Sequence, residues 1–202
     1  MTLRLVLISH ASTAATHGAR FPDDEPLNDR GLAAASACLG ALRRVGAAYR
    51  GLERRCLQTA QALGLDAEPE PLLADMDAGI WRGRRLADLE TENPADLYTW
   101  MTDPVAAPHG GEPLAGVLAR MASWLDRLPG AASPVVAVTH PALVRAAVLH
   151  ALGAPPSAFW RMDVPPLSQT RLSYNGGQWR LRESGHPLGP ADQGPREVRG
   201  RG

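Results

Sequence analysis

A chain of 202 residues, 45% hydrophobic and 21% charged, has room for one substantial domain and hardly for two, and it can bury a continuous core without disulfides or metals. Basic and acidic side chains balance at 21 each, so net charge points to neither nucleic acid nor a membrane surface as partner. No stretch approaches the length of a membrane span, and the apolar run at the N-terminus is too short for a signal peptide. The expected location is therefore the cytoplasm.

Leu3 to Ser9 is a short apolar run with β-branched members, the pattern of a strand buried on both faces. His10 follows at its carboxyl end, where parallel α/β sheets bind ligands. A polar loop then runs to about Asn28, which with Asp29 caps a helix expected to reach about Arg44. A second strand is expected near Val45 to Tyr49, and a helix from Arg54 to Leu63. Leu72-Leu73 enters a loop containing Asp75, Gly79 and Trp81. Leu86 to Glu92 reads as a short helix broken by Asn93-Pro94, and Pro104 to Pro113 as loop. Leu114 to Leu128 has the apolar spacing of an amphipathic helix.

Pro134 to Thr139 is another buried-strand run, ended by His140 and followed by a helix from Ala142 to Leu152. Thr170 to Tyr174 and Gln178 to Leu181 form a hairpin through Asn175-Gly176-Gly177. The domain is expected to occupy residues 1–183, with 184–202, rich in Gly, Pro and Arg, as a disordered or loosely attached tail. Strands alternating with helices argue for an α/β sandwich with a mainly parallel sheet. Cys38 and Cys56 lie in apolar helical stretches and read as free, buried thiols. No CxxC or HxxxH pair supports a metal.

The chemistry is concentrated at the two strands that end in histidine, Ile8-Ser9-His10-Ala11 and Val138-Thr139-His140-Pro141. Each is followed by a loop entering a helix, which places two imidazoles at one edge of the sheet. At this point the chain resembles the histidine phosphatase superfamily, the phosphoglycerate mutase-like proteins of branch 1. Ser9-His10-Ala11-Ser12-Thr13 stands where the family has Arg-His-Gly-x-Ser/Thr. Pro26-Leu27-Asn28-Asp29-Arg30-Gly31, Arg55-Cys56-Leu57-Gln58-Thr59-Ala60 and Leu73 to Gly83 resemble further family motifs in the family's order. So do Gly110-Gly111-Glu112 and Thr139-His140-Pro141-Ala142.

The resemblance implies a three-layer α/β/α sandwich with a mostly parallel central sheet. It implies that His10 attacks phosphorus and forms a phosphohistidine, that Arg55 clamps phosphate oxygens, and that His140 stabilises charge in the transition state. Asp75 stands where the family has a glutamate general acid, a role that needs a raised pKa. Ser9 and Thr16 occupy phosphate-binding positions. No metal or organic cofactor is implied. The expected partner is a small phosphorylated or anionic substrate, and a homodimer is compatible with the pattern.

The departures cluster at the phosphate site. Ser9 replaces an arginine, and a hydroxyl supplies neither a charge nor a bidentate fork. Loss of such a clamp costs on the order of 2–4 kcal/mol of transition-state stabilisation, about 10²–10³ in rate. Ala11, Thr16, Pro141, Ala78 and Arg82 also differ from the family pattern. Two readings follow. Either Arg20, Arg50, Arg54 or Arg82 restores the charge and the protein is a phosphomonoesterase, or the pocket serves a different reaction or binding alone.

Overall fold

The structure is a computed structural model that describes residues 2–189. The chain forms, in order, β1 (Leu3–Ser9), α1 (Ala14–His17), α2 (Asp29–Ala37), β2 (Ala47–Arg50), α3 (Arg54–Ala62) and β3 (Glu68–Pro69). These are followed by α4 (Leu86–Glu92), α5 (Pro94–Thr102), α6 (Leu114–Arg127), β4 (Val135–Thr139), α7 (Pro141–Leu152), β5 (Ser168–Asn175) and β6 (Gln178–Pro187). The six strands make one sheet in the order β3-β2-β4-β1-β5-β6. β1 to β4 run parallel, and β5 and β6 are antiparallel to their neighbours.

Alternation along the two central strands builds both sides of the core. Leu3, Leu5 and Leu7 of β1, with Val135 and Ala137 of β4, pack against α6 and α7. Val6, Ile8, Val136 and Val138 point to the other face and meet Cys56, Ala60 and Leu63 on and just after α3. A strand with apolar residues at every position is what a sheet covered by helices on both sides requires. A third, smaller core lies between β3 and α6 in sequence, where Trp81, Leu89, Leu97 and Trp100 pack with Phe21 and Trp160.

Several boundaries differ from expectation. α2 stops at Ala37 rather than near Arg44; Gly40 lowers helix propensity there, and Cys38 caps the end while its thiol donates to Leu188 O. Asn93-Pro94 ends α4 as expected, but Pro94 also opens α5, the one helical position at which its missing N–H costs nothing. β5 and β6 are longer than the hairpin signal indicated, although the turn is as read: Gly176 and Gly177 both have positive φ, as a two-residue turn of this twist demands. Consequently the boundary at 184 is corrected. Residues 184–187 belong to β6, and Leu188 is buried with its N–H on Leu167 O. The remainder of the expected tail, 190–202, lies outside the described residues. Both cysteines are free and buried.

Candidate active site

The sheet order brings the histidines together. β1 and β4 are adjacent and parallel, with Ser9 opposite Thr139, so the residues that follow emerge side by side. His10 N–H donates to Thr139 O at 2.9 Å, and the His10 and His140 rings lie edge to face with centroids 5.3 Å apart. Both side chains are buried.

Their protonation states diverge. His10 Nδ1 lies 2.8 Å from Ala11 O, which requires Nδ1–H and leaves Nε2 as a free lone pair. Burial, with the charges of His140 and Arg55 adding to it, lowers the pKa of His10 to about 3, so its imidazole is neutral at pH 7. For His140, burial opposes charge, but Asp75, Cys56 and Glu53 outweigh it and lift the pKa to about 10. One ring is thus a neutral imidazole and the other an imidazolium.

Arg55, in the first turn of α3, is buried and donates to Asp75 Oδ2 at 2.7 Å. Its Nε and Nη1 have no protein partner. Unused N–H groups on a buried guanidinium fit an oxyanion that takes them up. His140 Nδ1 is 3.3 Å from Asp75 Oδ2 but is not aligned for a hydrogen bond. Asp75 departs from the raised pKa that a general acid needs. Burial raises it, but His140 and Arg55 prevail and hold the carboxyl below the usual range, so it is ionised in this structure.

Glu53 is the residue that the sequence reading did not single out. It caps the N-terminus of α3 through its backbone, yet its side chain does not cap. Instead Oε2 lies 2.7 Å from His140 Nε2, and Oε1 accepts the Asp75 N–H at 2.8 Å. One carboxylate therefore ties together two site residues. Burial works against its charge, but the hydrogen bond and charge of His140 lower its pKa to about 2. A Cβ at residue 51 would stand 2.8 Å from His140 Nε2 and 2.9 Å from Glu53 Oε2, so Gly51 leaves room for this pair. An acid at the carboxyl end of β2, two residues before Arg55, was the available signal, and in isolation it reads only as a cap. Cys56 Sγ is also 3.3 Å from His140 Nε2. The donor atoms of Glu53, Cys56 and His140 lie within 4.8 Å of one another, a spacing at which a metal would have to displace the Glu53–His140 hydrogen bond.

Other expected residues are placed differently. Ser9 is buried with its hydroxyl unpartnered. Thr16 is not drawn into the cluster: its hydroxyl and that of Thr13 form the capping box of α1, and it lines a separate groove with Ser12 and Asn28. Of the arginines that could replace the missing one, Arg20 and Arg50 donate to the carbonyls of Gly83 and Gly51, and Arg54 opens α3 with its backbone N–H on Asp24 Oδ1. Arg82 borders the site but is ion-paired to Asp77 at 2.8 Å. His109 packs against Trp81, and Glu112 pairs with Arg120. A cavity of about 340 Å³ opens on Arg55 and Asp75, walled also by Asp23, Asp24, Met76 and Arg82.

The family model of the histidine phosphatase superfamily (branch 1) matches residues 5–186. Phosphoserine phosphatase 1 of Hydrogenobacter thermophilus is 27% identical over 169 residues, covering 78% of this chain and 80% of that protein. Glucosyl-3-phosphoglycerate phosphatase of Mycobacterium tuberculosis is 29% identical over 175 residues, 78% of each chain. The solved structure of the mycobacterial glucosyl-3-phosphoglycerate phosphatase with VO3 superposes with a TM-score of 0.80 at 28% identity, covering 91% of this chain and 98% of that one. No helix among the described residues is long and apolar enough to cross a membrane. Sheet order, paired histidines and a match along most of its length agree: the chain belongs to branch 1 of the histidine phosphatase superfamily and is an enzyme of the phosphatase type.

Proposed function

We propose that the protein hydrolyses a small phosphomonoester through a phosphohistidine on His10. The observation that carries this reading is the pairing of a neutral His10, its Nε2 free, with a protonated His140 and the unpartnered N–H groups of Arg55. The phosphoryl oxygens take up Arg55 and His140 Nδ1. Nε2 attacks phosphorus, a P–N bond forms, and the bond to the ester oxygen breaks. The leaving oxygen takes its proton from Asp75.

That carboxyl is ionised before substrate arrives, so the proton enters with the substrate: phosphate monoesters have a second pKa near 6, and about a tenth of the ester is monoanion at pH 7. Drawing Arg55 onto the phosphate and bringing a dianion near Asp75 both favour the protonated carboxyl. In the second step water attacks the phosphohistidine, the P–N bond breaks, and the water's proton passes through Asp75 to the departing phosphate, which leaves Asp75 ionised again. Phosphate leaves with the fourth oxygen, and His10 is neutral again.

Ser9 and the closed Arg55–Asp75 pair favour a second reading, in which the pocket binds a phosphate ester without turning it over. Phosphate release from an aryl phosphate and a metabolite panel separates the two. Turnover is expected in wild type and should fall by at least about 10³-fold in His10→Ala, with an acid-labile, alkali-stable phosphoenzyme trapped only in the former. Wild type that binds the esters but releases no phosphate would establish the binding role.

A further inference from the structure

The cavity over Arg55 is walled by five carboxylates, Asp23, Asp24, Glu53, Asp75 and Asp77, and two arginines, Arg55 and Arg82. Three of the acids already have cations: Glu53 has His140, Asp75 has Arg55 and Asp77 has Arg82. Asp23 and Asp24 have none. Among the described residues neither is ion-paired, and the only recorded hydrogen bond to either side chain is from the Arg54 N–H to Asp24 Oδ1. Glu25 follows them in the chain, its carboxylate turned back on the Asp23 N–H. In the same cavity the buried Arg55 guanidinium keeps two N–H-bearing nitrogens without a partner. The pocket therefore has the buried Arg55 on one wall and the exposed, un-ion-paired Asp23 and Asp24 on another.

Asp23 and Asp24 are exposed on the wall of the cavity, and a second negative charge on the ligand would be repelled by both. A positive charge there is attracted by both. A cavity of about 340 Å³ admits one small molecule that touches both walls.

We propose that the substrate is a phosphomonoester whose alcohol carries a cationic group, a primary or quaternary ammonium, received by Asp23 and Asp24 while Arg55 takes the phosphate. This rests on the phosphomonoesterase reading above. It assigns specificity to the loop after α1, which does not take part in the chemistry.

Three esters of nearly equal size test it: O-phosphoethanolamine, ethylene glycol monophosphate and phosphoglycolate, which end in ammonium, hydroxyl and carboxylate. Their kcat/KM values are measured with EDTA present, beside p-nitrophenyl phosphate, and their binding to His10→Ala is measured by calorimetry. The ammonium ester should exceed the carboxylate ester by about tenfold or more in both measurements, with the hydroxyl ester between. The Asp23→Asn/Asp24→Asn double variant should compress that ratio to about twofold. Equal or reversed order, with the aryl phosphate still hydrolysed, overturns the proposal and leaves the phosphatase reading standing. If no ester is hydrolysed but binding to His10→Ala keeps the order, the phosphatase reading falls and the ligand class stands. Binding without the order sinks the ligand class as well.

Discussion

At His140 the two ring nitrogens face different partners: Nε2 is held by Glu53, and Nδ1 is turned toward Asp75. That division lets one imidazole carry a positive charge toward the Arg55–Asp75 pair. The charge depends on the carboxylate behind it. In Glu53→Gln the amide oxygen can still accept the Asp75 N–H, but the negative charge is gone. The alkaline limb of kcat/KM, set in wild type by loss of the His140 proton near 10, should move down by about 1–3 pH units. An unmoved limb would mean that Asp75 and Cys56 hold the proton without Glu53. None of this is legible locally, because Glu53 and His140 are 87 positions apart and only the neighbouring places of β2 and β4 in the sheet bring them together.

The loop that carries Asp75 has little regular structure of its own and is held from outside. Arg120, in the middle of α6, uses its whole guanidinium for this. Nε and Nη2 bind Glu112, Nη1 donates to the carbonyls of Leu72 and Ala74, and Nη2 also donates to Asp75 O. Glu112, part of the Gly110-Gly111-Glu112 motif, thus orients the arginine that orients the Asp75 backbone. Arg120→Met should cost about 2–3 kcal/mol of stability by denaturant unfolding, together with a fall in kcat/KM as Asp75 loses its fixed position. Unchanged values of both would show that the loop is set by other contacts. α6 itself was legible, since apolar residues at 114, 117, 121, 124 and 125 make one face. The purpose of Arg120 on its polar side was not, because a single arginine on a solvent-leaning face carries no periodic signal.

Across the molecule, the two buried histidines set opposite pH limits on stability. The pKa of His10, lowered to about 3 from its ordinary 6.5, means that the unfolded chain takes up a proton the folded one refuses as pH drops through that interval. The pKa of His140, raised to about 10, gives stability that is complete below about 6.5 and is lost as pH rises toward 10. Tm should therefore peak near neutrality and fall by something on the order of 5 °C on each side. His10→Gln should remove the acid slope between pH 6.5 and 4.5, and His140→Gln the alkaline one. A Tm that keeps both slopes in these variants would assign them to other groups.

What the linear sequence determined by itself is the architecture and the four residues His10, Arg55, Asp75 and His140 that the fold gathers at one sheet edge; it passed over Glu53 and included Thr16, which lies outside the cluster. Short apolar runs rich in β-branched residues read as strands covered on both faces, and two of them, β1 and β4, end in the histidines that the sheet sets side by side. Ordered motifs around His10, Arg55, Asp75 and His140 identified the family before any contact was visible. Tertiary structure alone decided the electrical state of that site: which imidazole is neutral, that Asp75 is ionised against Arg55, and that Arg82, the other arginine on the cavity wall among the described residues, is paired with Asp77. The reason is physical. Periodicity and turn chemistry act between neighbours in the chain, whereas a pKa is set by burial and by charges a few ångströms away, brought there from β2, β4 and the Asp75 loop.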